Sequence, residues 1–96
     1  AVDRVVLTAC GERAALDVEG APEVFTLFDI ASSVVDASTD GVVATIEDLH
    51  RRLLARSPTD AETDALLGLL SDPLSGEEFA RLSCFVIATT PEFIFQ

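Results

Sequence analysis

IEDLHRRLLARSPTDAE, residues 46–62, decides how this chain folds, because one amphipathic helix stops inside it and another starts. Ile46, Leu49, Leu53 and Leu54 recur at helical spacing and form one buried stripe. Just upstream, Thr45 stands three places before Asp48, as an N-cap with an acid at the third helical position does. Arg51, Arg52 and Arg56 lie off the stripe toward the C-terminal end, where positive charge complements the helix dipole. Ser57-Pro58-Thr59-Asp60 is the second start. Ser57 can cap with Pro58 at the first helical position, or Thr59 and Glu62 can form a capping box. The stretch therefore reads as an elbow between two helices.

Composition sets the class. The 96 residues suffice for one domain, residues 1–96 as a unit, with no room for two. Six basic against 17 acidic side chains give a net charge of -11, which repels phosphate backbones and anionic membrane surfaces. Nucleic acid is therefore not an expected partner. The apolar content is high for so acidic a chain, 49% with a mean hydropathy of +0.40. A domain of this size has difficulty hiding that much, and the surplus points to a larger protein partner. The longest apolar run, Phe85 to Ala88 with Leu82 and Cys84 beside it, is far short of the roughly 18 residues that span a membrane.

The chain begins at Ala1 rather than methionine, as an exported product does after processing, so the expected location is extracytoplasmic. Leu7-Thr8-Ala9-Cys10 has the look of a lipoprotein box, but Asp3 and Arg4 interrupt any apolar segment before it. Cys10 and Cys84 are the only cysteines. Paired, they close a loop of about 75 residues and contribute ~4 kcal/mol in the chain-entropy model; unpaired, they pack as two small buried thiols. Both readings stay open. CxxC spacing is absent, which argues against a redox motif or structural zinc, and the absence of CxxCH argues against covalent haem.

Outward from the elbow, Val2, Val5, Val6, Ala9 and Cys10 fit a helical stripe, although Val5-Val6-Leu7 also suits a short strand. Gly11, and then Asp17 to Pro22, read as loop. From Glu23, a wide apolar face of Val24, Phe28, Ala31 and Val35, flanked by Leu27, Ile30 and Val34, predicts a core helix that ends at Asp36 to Gly41. Beyond the elbow, Ala61, Ala65, Leu66, Leu69 and Leu70 carry a third stripe, closed by Ser71-Asp72-Pro73. Ser75 and Glu78 form a further capping box before Phe79, Leu82, Phe85, Val86, Ile87 and Ala88, a helix apolar nearly all round. Thr90-Pro91-Glu92 starts one more turn and leaves Phe93, Ile94 and Phe95 at the end. The expected fold is all-α, a compact orthogonal bundle of four to five short helices. Phe85, Phe93, Ile94 and Phe95 are the expected partner interface, since so apolar a tail needs a cover.

One local pattern points to metal. Asp36 to Glu47, DASTDGVVATIE, resembles the twelve-residue EF-hand loop. The resemblance implies calcium held by side-chain oxygens of Asp36, Ser38 and Asp40, the carbonyl of Val42 and the carboxylate of Glu47, with Gly41 at the sharp turn. Ser38 lacks charge, Ala44 supplies no oxygen, Asp48 falls where the family has an apolar residue, and no second loop pairs with it. The plainer account is an acidic helix-to-helix turn reversed at Asp40-Gly41.

Catalysis has little support in the residues. His50 is the sole histidine, set at the edge of the buried stripe, and no nucleophile-base-orienter set accompanies it. Acyl carriers share the size and charge but need Asp-Ser-Leu at a helix start, which is absent. A second resemblance covers the C-terminal half. LHRRLLARSPTDAE and the later ATTPEFIFQ, through Arg56, Pro58, Thr59, Glu62, Pro91, Glu92, Phe93 and Phe95, resemble helical domains of unknown function in exported bacterial proteins associated with c-type cytochromes. That resemblance implies an extracytoplasmic helical module beside a larger partner, or a fragment of a larger redox-associated protein. The leading expectation is a non-catalytic accessory subunit with no cofactor of its own; the rival is a calcium-binding module.

Overall fold

The computed structural model describes residues 2–20 and 22–90. Four α-helices run α1 Val2–Glu19, α2 Val42–Leu54, α3 Asp60–Leu67 and α4 Gly76–Ala88, with a 3-10 turn at Gly68–Leu70. Among the described residues no strand forms, only an isolated antiparallel bridge between Val35 and Leu74. The all-α expectation holds.

The elbow folds as its residues dictate. Ile46, Leu49 and Leu54 of α2 are buried and Leu53 is half-buried. Ala55 ends the helix in the left-handed region, φ 57°, with its N–H donating to the Arg51 carbonyl. Of the two starts open to α3, Thr59 is the one used: its hydroxyl accepts from Glu62 N at 3.2 Å while Glu62 accepts from Thr59 N at 2.8 Å. Leu66 and Leu70 enter the core, whereas Ala61 and Ala65, on another side of α3 from Leu66, face outward. At α4, Ser75 caps Glu78 N, but the Glu78 carboxylate turns to Arg81, so only half of the expected box forms.

Three expectations are corrected. Thr45 does not cap α2. Gly41 does, and Thr45 sits one turn inside, donating from its hydroxyl to the Gly41 carbonyl. Second, α1 continues through Gly11 and as far as Glu19, where a loop was expected. A glycine inside a helix costs about 1 kcal/mol relative to alanine. Here the Arg81 stem of α4 lies against it, 3.4 Å from where a Cβ would stand. The buried face of α1 is Cys10, Ala14 and Asp17, while Val5 and Ala9 of the predicted stripe are exposed. Because Val6 and Ala88 share one wall around the Cys10–Cys84 pair, α1 and α4 run antiparallel.

The third correction concerns residues 22–41, which form no core helix. Their apolar side chains still fill the core: Phe25, Phe28, Ile30 and Val35 are buried, and the Phe28 ring meets Phe79 edge-on at 5.5 Å. What replaces the helical ladder is a set of bonds from elsewhere. Asp17 accepts from Glu23 N, Val24 N and Phe25 N at 3.2, 3.1 and 2.8 Å. Val35 and Leu74 exchange both backbone bonds, and Gly76 N donates to Ser32 O at 2.9 Å. Ser32 and Asp29 bond the backbone two residues on, which competes with helix locally. Two glycines make the close approach feasible. A Cβ on Gly41, at φ 87°, would overlap the Leu27 carbonyl, and one on Gly76 would stand 2.7 Å from the Ile30 carbonyl carbon.

Candidate functional site

The residues that the sequence singles out fall in three places. The first is the turn before α2. Asp36 Oδ1 accepts from Ser38 N at 2.9 Å, from Ser38 Oγ at 2.6 Å and from Thr39 Oγ1 at 3.3 Å. These bonds, the Ser38 hydroxyl first, hold the Asp36 carboxyl below its ordinary range. One oxygen of the loop's leading carboxylate, Oδ1, is thus bonded to the Ser38 hydroxyl. Asp40 is exposed, Val42 is already helical with its side chain wholly buried, and Glu47 pairs with Arg51 at 3.3 Å along α2. Among the described residues no three carboxylate, imidazole or thiolate groups gather into a metal cluster.

The second place is the elbow. Arg56 donates two parallel bonds, both 2.8 Å, to the two carboxylate oxygens of Glu62. Glu62 also closes the Thr59 capping box, so Arg56, Thr59 and Glu62, three of the residues behind the cytochrome-associated resemblance, form one knot. Pro91, Glu92, Phe93 and Phe95, the rest of that resemblance apart from Pro58, lie outside the described residues. Hydrogen bonds from Arg56, then the Thr59 N–H, hold the Glu62 carboxyl at about 2 against an ordinary 4.5. A depressed carboxyl stabilises the fold above its unfolded pKa and loses that contribution as pH falls through the folded one. Glu62→Gln is therefore expected to cost about 1 kcal/mol at neutral pH, given the partial exposure of the pair. The gap between variant and parent in thermal midpoint should close between pH 4.5 and about 2. A gap that stays constant over that range would show that the carboxylate is not what Arg56 holds.

The third place is the α1–α4 seam. Cys10 and Cys84 are joined in a disulfide with 5.8 Å between Cα atoms, the pairing that composition left open. The bond floors an open groove of about 300 Å³ whose walls are Val6, Ala9, Leu53 and Ala88, almost wholly apolar. Elsewhere on α1, Val5 is 68% exposed and Leu16, about three turns further along one face of the helix, 55% exposed. Phe85, expected at the interface, is half-buried on α4; Phe93, Ile94 and Phe95 lie outside the described residues. The groove was not legible in the sequence, because it exists only where two distant helices and Leu53 meet.

His50 is buried, its Nδ1 2.8 Å from the Ile46 carbonyl of its own helix. Among the described residues no helix is long and apolar enough to cross a membrane. Comparison with protein families, curated proteins and solved structures finds no match.

Proposed function

We propose that this domain is a non-catalytic helical accessory subunit that docks onto a larger protein in an extracytoplasmic assembly. The observation that supports it is the disulfide-lined apolar groove between α1 and α4, together with the exposed Val5 and Leu16 elsewhere on α1. Apolar side chains left in water along one helix are costly, and a partner surface relieves that cost. The disulfide agrees with an oxidising compartment, where such bonds persist. The polar groups around the elbow are consumed in capping and ion pairing, which fits a scaffold rather than a reaction centre.

The experiment measures solution mass and hydrophobic-dye fluorescence of the chain and of Ala9→Glu, a substitution at an exposed groove position. The reading expects dye binding or self-association by the parent and clear loss of both in the variant. A monodisperse parent that binds no dye removes it.

A further inference from the structure

We propose that the outer face of α1 is the docking seam for one basic amphipathic helix of a partner protein, which rests on the docking function above and names the partner's chemistry. Val5, Ala9, Glu12, Leu16 and Glu19 follow one another at steps of four, three, four and three residues. All five are exposed, on a side of α1 turned away from the buried Cys10, Ala14 and Asp17. Such steps are those of a coiled-coil seam, which a second helix meets at every turn. From Val5 to Glu19 the seam runs about 21 Å. Helix α1 thus has a second apolar face, made by Val5, Ala9 and Leu16, that its own fold leaves in water.

Charge selects the occupant. Arg13, Arg51, Arg52, Arg56 and Arg81 each pair with an acid of the chain itself. Glu12 and Glu19 make no ion pair among the described residues, and neither does Arg4, exposed next to Val5. The seam is therefore positive at its start and negative from Glu12 onward. A second copy fits it poorly. Laid parallel, it sets Glu12 against Glu12 and Glu19 against Glu19; laid antiparallel about the middle of the Val5–Leu16 stretch, it brings the two Glu12 side chains within one turn of each other. Each copy also carries a net charge of -11. A helix with apolar residues at the matching spacing, and lysine or arginine where it meets Glu12 and Glu19, covers Val5, Ala9 and Leu16 and neutralises both acids.

The test follows the fluorescence anisotropy of three labelled peptides titrated with the full chain. One is a three-heptad helix with leucine at the a and d positions and lysine beside them, one its glutamate counterpart, and one the lysine peptide in scrambled order. The ordered lysine peptide should bind at least about tenfold more tightly than either of the others and weaken as salt rises. Leu16→Ser and Glu12→Lys should each cost it about tenfold while circular dichroism stays unchanged, since both positions are exposed. Equal binding of the scrambled peptide would reduce the effect to bulk charge and overturn the proposal, as would preference for the glutamate peptide or an unaffected Leu16→Ser chain. A parent chain that takes up hydrophobic dye yet ignores all three peptides overturns the proposal and leaves the docking reading standing; one that does neither removes both. Self-association abolished by Leu16→Ser would assign the seam to a second copy, and peptide binding seen only in a Phe93→Ser, Phe95→Ser chain would assign it to the chain's own end; either result overturns the proposal.

Discussion

Replacing both Cys10 and Cys84 by alanine, or reducing their bond, is expected to lower the thermal midpoint by roughly 20 °C, since ~4 kcal/mol is lost and each kcal/mol moves a domain of this size by about 5 °C. The bond spans 74 positions and joins the first helix to the last, so its removal frees most of the chain in the unfolded state. Helix α1 has little with which to compensate. Among its described residues the buried side chains are Cys10, Ala14 and Asp17, and none of them covers much apolar area. Hydrogen exchange should therefore rise first across Val2–Glu19, while the α2–α3 elbow keeps its protection. A midpoint shift under about 5 °C would mean that α1 is held chiefly by something else.

Asp17→Ala carries the second large effect, about 3 kcal/mol, because three backbone donors lose a common buried acceptor and each unmet donor costs about 1–3 kcal/mol before water enters. The carboxylate is 1% exposed and also accepts from Arg13 Nη2 at 2.8 Å. Burial pushes its pKa up, but the N–H groups of Phe25, Glu23 and Val24 and the Arg13 charge outweigh burial and leave it below the ordinary 3.8. The contribution is thus present above the unfolded value and disappears as pH falls through the folded one. Asp17→Asn should melt lower than the parent at neutral pH and approach it in strong acid. Parallel curves for the two chains, followed by circular dichroism from neutral pH into acid, would assign the stabilisation to packing alone.

Much of the helical framework is legible because it is made of neighbours. Thr59 and Glu62, or Ser75 and Glu78, are three residues apart, and their bonds need nothing from the rest of the chain. The stripe of Ile46, Leu49 and Leu54 likewise reports its own burial. Residues 23–35 mislead for the same reason. Val24, Phe28 and Val35 have helical spacing, and Phe28 and Val35 are indeed core, but the periodicity cannot register an acceptor arriving from Asp17 or a strand-like partner in Leu74. Asp17 itself reads as a loop residue, since a lone acid before glycine and proline is the ordinary sign of a turn. For the candidate sites, Cys10 and Cys84 were visible as a pair and the groove above them was not.

The amino-acid order by itself determined the all-α class, the elbow, the start of α4, two candidate starts for α3 and most of the core, because caps and apolar stripes act within a turn or two. Tertiary structure alone decided that α1 runs on past Gly11, that residues 22–41 pack without a helix, and that Cys10 reaches Cys84. The second depends on Asp17, Gly41 and Gly76 meeting backbone 6 to 47 positions away, and the third on a partner 74 positions away. Such meetings are set by where whole elements come to rest, and no local spacing records them.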